Sequence, residues 1–252
     1  MANEPARSER KYPCERCPLR REKSFRDFSD EELAFVSSFK RGELLVDKGA
    51  TVLCEGTKTP HLHTVLTGWG FRYKLLPDGR RQIVNYVMPG DLVGLQGTLM
   101  SEMQHSMETL SPMTLCVFER GELMSLYRQH AELAYDVTWL ASREECMLDE
   151  NLLSIGRRSA LESLAYLVAF LVGRARASGL ISETAAPRLA ITQQHVADTL
   201  GLSLVHTNKT IRKLTEKKLL RWRDGGCEVL DVDGLSDLAH WERQEARLRP
   251  FI

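Results

Sequence analysis

Cysteine is the residue type in this sequence with the most evident capacity for chemistry. Six cysteines are present, and Cys14 and Cys17 form a Cys-x-x-Cys pair near the N-terminus. Thiolates at this spacing can bind a metal ion or exchange with disulfides, and a free cysteine also packs as a small apolar side chain. The first residues contain no apolar signal segment, so we expect a cytoplasmic protein whose cysteines are thiols or metal ligands rather than disulfides.

A second group of chemically capable residues is a local concentration of positive charge. The segment from Ser203 to Arg223 holds seven cations and one acid, Glu216, although the formal net charge of the whole chain is zero. The cations are Lys209, Arg212, Lys213, Lys217, Lys218, Arg221 and Arg223. The protein is therefore not generally basic, and the charge belongs to one surface.

Two short helices joined by a tight turn would position these cations. Thr192 and Ser203 are N-cap candidates, Gly201 suits the left-handed backbone of the turn, and the second helix is predicted over residues 204–217. A helix, a glycine turn and a basic helix are typical of a motif that inserts its second helix into the DNA major groove. Apolar runs around Asp224-Gly225-Gly226 predict a hairpin, or wing, after it.

The sequence before this motif predicts a sheet domain and a long helix. Seven short apolar or alternating runs between Arg41 and Phe118 are separated by glycine turns, and Asp78-Gly79 is a strong hairpin signal. Strands at this spacing predict a closed or two-sheet β-roll. The segment from His130 to about Leu153 contains neither proline nor glycine and predicts a long helix.

The long helix carries a coiled-coil-like repeat. Leu133, Leu140 and Met147 recur every seven residues, which favours pairing with an identical helix, although Glu144 and Asn151 interrupt the same face. The alternative is a helix packed on its own β-domain. We predict an α+β fold in four parts: residues 1–28 as an N-terminal extension with the cysteine pair, 29–128 as a β-roll sensor, 129–156 as a dimerisation helix, and 157–252 as a winged helix-turn-helix domain.

This order of elements resembles the CRP/FNR family of bacterial transcription regulators. The motifs that carry the resemblance are the Cys14–Arg20 segment, Leu75–Ile83, Pro89–Gly94, Thr114–Phe118 and the helix-turn-helix. The resemblance implies that the β-roll is cyclic-nucleotide-binding-like and that the protein is a homodimer on a near-palindromic site in double-stranded DNA. It also implies RNA polymerase as a partner and an effector that repositions the DNA-reading helices. Neither a membrane segment nor the constellation of an enzyme is present in the sequence.

The family resemblance assigns base-reading positions. The family commonly uses Glu, Ser or Gly, and Arg, which are matched here by Val205, Asn208 and Lys209. Lys209 could donate to guanine and Asn208 could pair with adenine, but Val205 cannot accept a hydrogen bond from cytosine, so we expect an unusual half-site. His206 either faces the groove or has a capping or surface role. The predicted DNA-binding set is completed by Thr192, Gln193, Ser203, Arg212, Lys213 and Arg221, of which the cations contact phosphates.

The effector is left open by the resemblance. In the cyclic-AMP-binding branch an arginine holds the phosphate, but its position is occupied by His105 and the ribose-binding glutamate is missing, so we expect no cyclic AMP sensing. In the oxygen-sensing branch four cysteines hold an iron–sulfur cluster. Cys14, Cys17 and Cys116 match three of these ligands, and Cys54 is a candidate fourth.

The sequence therefore leaves three interpretations of the Cys14–Cys17 pair open. It packs structurally, it binds a metal or iron–sulfur cluster with Cys54 or Cys116, or it acts as a thiol redox switch. A hypothesis of another class is a ligand- or metal-binding β-roll protein whose helical domain binds protein instead of DNA.

Overall fold

The computed structural model describes residues 12–223, 225–242 and 248–252. Within these ranges the chain forms an eight-stranded β-roll, a long central helix and a helical domain with a small three-stranded sheet. This is the predicted α+β architecture in the predicted order.

The β-roll consists of two four-stranded sheets. Its strands are β1 (Lys40–Val46), β2 (Thr51–Leu53), β3 (His61–Thr67), β4 (Gly70–Leu75), β5 (Arg81–Val87), β6 (Leu92–Val93), β7 (Ser106–Thr109) and β8 (Met113–Glu119). Antiparallel pairing gives the orders β1-β8-β3-β6 and β2-β7-β4-β5. Gly79 has a φ of +86° in the β4–β5 turn, which explains why this turn needs its Asp-Gly pair.

Eight helices are present in the part of the chain that the structure describes. They are α1 (Asp30–Phe39), α2 (Leu95–Met100), α3 (Leu123–Gln129), α4 (Ala131–Arg157), α5 (Ala160–Ala177), α6 (Gln193–Leu200), α7 (Leu204–Glu216) and α8 (Val232–Leu238). Ser29 and Ser159 begin α1 and α5 as capping boxes with Glu32 and Glu162. No pattern in the sequence predicts α2.

Helix α4 is longer than the sequence predicted. The helix does not end near Leu153 but continues through Gly156 to Arg157, and the chain becomes extended only at Arg158, which has a ψ of 145°. Gly156 is exposed, and a glycine in an exposed helix costs only about 1 kcal/mol relative to alanine. The break before α5 is therefore made by Arg158 and the Ser159 cap rather than by Gly156.

The heptad stripe predicted to pair with a second copy instead packs on the chain's own β-roll. Leu133, Leu140 and Met147 are buried within the single chain. The polar interruptions have partners there as well: Glu144 accepts hydrogen bonds from Arg72 and Asn85, and the side-chain amide of Asn151 donates to the Val84 carbonyl at 2.9 Å. The alternative of a helix packed on its own domain is correct for this face.

The helical domain contains one strand that the sequence analysis missed. Strand β11 (Gly226–Val229) pairs with β10 (Leu220–Arg223) as predicted, and on its other side with β9 (Arg188–Leu189). Two residues are too few for an alternating pattern to be recognised. Apolar residues near the end of the sequence predict a last helix near Leu235–Arg247. The structure has α8 over Val232–Leu238, and residues 243–247 lie outside the described ranges.

The two domains share one apolar core. Trp69, Phe71 and Tyr86 of the β-roll belong to the same buried cluster as Leu164 and Leu200 of the helical domain. The C-terminal residues return to the β-roll. There Arg249 makes a parallel bridge with Phe25, and the ring of Phe251 lies 5.4 Å from that of Phe25, centroid to centroid. Among the described residues, no helix is long and apolar enough to cross a membrane.

Candidate nucleic-acid interface

The turn between α6 and α7 is fixed by local hydrogen bonds. Thr192 caps α6 by accepting from the backbone N–H of His195 at 3.1 Å, and Ser203 caps α7 by accepting from the N–H of His206 at 3.2 Å. Gly201 ends α6 with a φ of +66°, the left-handed conformation expected of a glycine C-cap. The caps and the turn agree with the prediction and set the direction of α7.

Helix α7 has one buried and one exposed face. Thr207, Thr210, Ile211 and Leu214 are buried against the rest of the domain. The six predicted DNA-binding residues on this helix all lie on the exposed side: Val205, His206, Asn208, Lys209, Arg212 and Lys213. Because Val205, Lys209 and Arg212 are spaced at i, i+4 and i+7, they form one row along the helix. An exposed apolar residue such as Val205 within a basic row is free to contact a ligand surface.

The other predicted DNA-binding residues flank this face. Thr192 and Ser203 are exposed at the starts of α6 and α7, Gln193 is partly exposed, and Arg221 is exposed on β10 of the wing. The guanidinium of Arg221 lies 3.7 Å from Glu228 on the paired strand, an exposed ion pair of small energetic value. The cation therefore remains available for a phosphate.

The wing depends on a glycine. Gly226 has a φ of +138°, and a Cβ at this position would lie 2.0 Å from the carbonyl oxygen of Leu189. Only glycine allows β11 to approach β9 this closely. The three-stranded sheet thus holds the wing beside α7.

Three of the predicted metal ligands share one environment, and the fourth does not. Cys14, Cys17 and Cys116 are buried in the same apolar cluster between the N-terminal turns, α1 and β8. Cys54 is exposed and directly follows β2, which belongs to the sheet that does not contain β8. Among the residues that the structure describes, no three His, Cys, Asp or Glu side chains are arranged to hold a metal ion. The donor set therefore does not fit an iron–sulfur cluster, which requires four ligands.

The electrostatics of these thiols favour their neutral form. Burial raises the pKa of Cys116 to about 12, and burial also raises the pKa of Cys17. The ammonium of Lys40 lowers both values, but by less than burial raises them; it donates hydrogen bonds of 2.7 Å to the Tyr12 carbonyl and to Glu43. Neutral buried thiols are poor nucleophiles and poor metal ligands, and they pack well as apolar groups.

His105 lies where the resemblance places the phosphate-binding arginine of cyclic-AMP-binding relatives. Its ring is buried, and Nδ1 is 2.7 Å from Oε1 of Gln96. Burial, together with the neighbouring cations Arg72 and Lys74, lowers the pKa of His105 to about 3. The imidazole is therefore neutral at pH 7 and supplies no charge to a phosphate.

A β-roll joined by a long helix to a winged helix-turn-helix with an exposed basic face defines a DNA-binding transcription regulator. The family model of the cyclic nucleotide-binding domain matches residues 43–130, and that of the Crp-like helix-turn-helix domain matches residues 165–238. The transcriptional activatory protein AadR of Rhodopseudomonas palustris is 34% identical over 71% of this chain and 73% of its own length. The chain belongs to the CRP/FNR family.

Other relatives agree with this assignment. The nitrogen fixation regulation protein FixK of Bradyrhizobium diazoefficiens is 33% identical over 76% of this chain and 79% of its own length. The solved structure of FixK2 from Bradyrhizobium japonicum covers 81% of this chain and 98% of its own, with a TM-score of 0.67 and 22% identity, and so supports the fold. These FNR-like relatives are transcription regulators, not enzymes.

Proposed function

We propose that this protein acts as a homodimer that places one α7 helix of each subunit in successive major grooves of a near-palindromic DNA site. The observation that carries the proposal is the exposed row Val205, Lys209 and Arg212 on a helix whose opposite face is fully packed. A helix held in this way presents its side chains in a fixed register, as base readout requires.

The exposed residues of α7 divide into readers and anchors. Lys209 can donate to guanine O6 and N7, and Asn208 can donate to and accept from adenine. Val205 can contact only an apolar group, such as the thymine methyl, so the half-site differs from one that is read by a glutamate. Arg212 and Lys213 contact the phosphates, and Arg221 does so from the wing.

A stripe on α4 other than the predicted one is suited to pairing with a second copy. Six residues that are exposed in the single chain follow the alternating spacing of four and three that marks a coiled-coil seam. They are Thr138, Ala141, Glu145, Leu148, Leu152 and Ile155. The side chain of Leu152 is 70% exposed in the single chain, and pairing of two such stripes would bury this apolar surface.

Direct contacts between α6 and the β-roll provide a route for an effector signal. The guanidinium of Arg81 donates to Asp198 at 2.8 Å, and the hydroxyls of Tyr86 and Thr199 are hydrogen-bonded at 2.9 Å. A change in strand β5 therefore moves the first helix of the helix-turn-helix. Cyclic AMP is not the proposed effector, because the neutral His105 cannot replace the missing arginine.

The cysteine cluster has a structural role in this proposal. Its buried, neutral thiols pack between α1 and β8 as small apolar groups. Contact with RNA polymerase is proposed from family membership alone. The names of AadR and FixK describe an activatory protein and a nitrogen fixation regulator, and an activating role for this chain is a proposal of the same standing.

Binding to duplex DNA tests the proposal. A half-site is first selected from random duplexes, and affinity is then measured by fluorescence anisotropy for wild type, Lys209→Ala and the control Lys58→Ala, an exposed β-roll lysine. Lys209→Ala should weaken specific binding by about 5- to 150-fold, the value of one bidentate base contact of about 1–3 kcal/mol. Lys58→Ala should bind as wild type does.

The wing gives a second, different signature. Arg221→Ala should weaken binding to all sequences alike and reduce the salt dependence by about one phosphate contact. Unchanged affinity of Lys209→Ala for the selected site would contradict the placement of α7 in the major groove. Absence of salt-sensitive binding in the wild type would favour a helical domain that binds protein.

A further inference from the structure

The Pro89-Gly90-Asp91 turn places a buried carboxylate at the centre of an arginine cluster. Asp91 accepts a 2.6 Å hydrogen bond from Arg174 and another hydrogen bond from Arg249. It also accepts from the backbone N–H of Met88 at 2.7 Å. A third guanidinium, that of Arg143, lies 3.7 Å from the carboxylate, too far for a hydrogen bond.

The members of this cluster come from four separate parts of the chain. Asp91 lies in the β-roll, Arg143 on α4, Arg174 on α5 and Arg249 in the C-terminal segment. None of the arginines is close to another in sequence, so the cluster exists only in the folded protein. None of its members lies in the sequence next to His105, where the resemblance places the phosphate of a cyclic nucleotide.

The cluster has an excess of positive charge. Among the residues that the structure describes, these three guanidinium groups form ion-pair contacts with one carboxylate only, which leaves an excess of two positive charges. The carboxylate of Glu144, which follows Arg143 in the sequence, is engaged by Arg72 and Asn85. Uncompensated charge in a buried position is costly and is rarely left without a counter-ion.

Several donors in the cluster have no acceptor. Within the described ranges, Nε of Arg174 and Nε of Arg249 are buried and unpartnered, and Arg143 donates no hydrogen bond. The side chains of Arg174 and Arg249 are more than nine-tenths buried, whereas that of Arg143 is 25% exposed beside the Trp139 ring. Arg143 is therefore the member through which the cluster meets solvent.

We propose that this cluster is a binding site for an oxyanion of the phosphate type, held by Arg143 with Arg174 and Arg249. Guanidinium groups bind such anions through charge-assisted hydrogen bonds. The donors left for an anion are Nε of Arg174, Nε of Arg249 and the guanidinium of Arg143, because the remaining nitrogens of Arg174 and Arg249 donate to Asp91 and to backbone carbonyls. An anion would neutralise the excess charge at the point where the β-roll, α4, α5 and the C-terminal segment meet. It would thereby stiffen the junction between the sensor and DNA-binding domains. The inference does not depend on DNA binding.

The electrostatics of Arg143 are consistent with this site. Burial and the neighbouring Arg249 and Arg174 lower the pKa of Arg143 to about 9, which reflects a guanidinium that lacks sufficient negative charge around it. The guanidinium stays charged at neutral pH, and an anion beside it would offset the repulsion from the two neighbouring arginines.

Thermal unfolding of the full chain without DNA tests the proposal. Inorganic phosphate is titrated at low millimolar concentrations against chloride at constant ionic strength. A single site filled at a hundredfold excess over its Kd should raise the unfolding midpoint by about 5–11 °C. Arg143→Gln should lose this shift and unfold no earlier than wild type in chloride, because it removes uncompensated charge. The control Arg80→Gln, at an exposed arginine in the β4–β5 turn, should keep the shift.

Calorimetry with inorganic phosphate gives a result that does not depend on any variant folding, and one phosphate per chain is expected. A repeat with phenyl phosphate distinguishes the sources of the anion: binding of both assigns a phosphomonoester, and binding of phosphate alone assigns the free ion. The absence of saturable binding by either would overturn the proposal. A phosphate shift retained in Arg143→Gln would overturn it as well, because the anion would then lie elsewhere.

Discussion

Replacing Asp91 with asparagine isolates the energetic value of the carboxylate that joins the domains. The variant keeps the shape of the side chain and an acceptor for the Met88 N–H, but it removes the charge that binds Arg174 and Arg249. Removing one partner of a buried charge pair costs about 3–5 kcal/mol, because the remaining charge is left buried and unpaired. For a chain of this size, each kcal/mol lowers the unfolding midpoint by about 2–4 °C. The expected loss is therefore roughly 6–20 °C.

The pH dependence of the same variant gives an independent check. Burial alone raises the pKa of Asp91, but Arg174, Arg249 and Arg143 outweigh it and hold this pKa well below its usual range. A carboxyl whose folded pKa is depressed contributes stability that is present above the unfolded pKa of about 4 and is lost as the pH falls towards the folded value. The difference between wild type and Asp91→Asn should thus be constant near neutral pH and shrink below about pH 4.

Urea unfolding in phosphate-free buffer, with Asp78→Asn as a control at an exposed ion pair, measures this difference. The control should change the free energy of unfolding by less than about 0.5 kcal/mol. A loss of less than about 1 kcal/mol in Asp91→Asn, or a difference that does not respond to acid, would refute the reasoning that the carboxylate is charged and central to the junction.

Two further predictions concern the long helix and the thiols. Leu152→Glu sets like charges on the proposed α4 seam and should raise the dimer dissociation constant at least about 100-fold in sedimentation equilibrium. The control Leu230→Glu, at an exposed leucine in the other domain, should leave this constant unchanged. A dimer that is unaffected by Leu152→Glu would place the seam elsewhere. Alkylation of the native protein should label Cys54 and Cys146 first, because their thiols are exposed. Cys116 should react only on unfolding, because burial raises its pKa. Rapid labelling of Cys116 would contradict its assignment as a packed thiol.

Local features of this protein could be predicted from the sequence because their causes are local. The capping boxes at Ser29 and Ser159 each involve residues only three positions apart in the sequence. The Asp78-Gly79 hairpin and the turn at Gly201 each follow from the backbone freedom of one glycine. The exposed face of α7 follows from helical spacing once Ile211 and Leu214 are turned inward.

The tertiary structure decided which of two stripes on α4 is buried. The stripe through Leu133 and Met147 and the stripe through Leu148 and Leu152 both have coiled-coil spacing, so periodicity alone cannot assign a partner to either. The β-roll covers the first because Arg72 and Asn85 satisfy the glutamate within it, and the second is left for another molecule. Which hydrophobic face is used depends on what the rest of the chain places beside it.

The arginine cluster shows the same limit for charge. The sequence contains equal numbers of acidic and basic residues, 34 of each, and gives no sign that Asp91, Arg143, Arg174 and Arg249 meet. Their separation along the chain reaches 158 residues, between Asp91 and Arg249. Short motifs carried the resemblance to the family and predicted the helix-turn-helix and its basic face, because these features depend on neighbours in sequence. The charge excess at the domain junction was decided by folding, because only the tertiary structure brings distant charges into one buried volume.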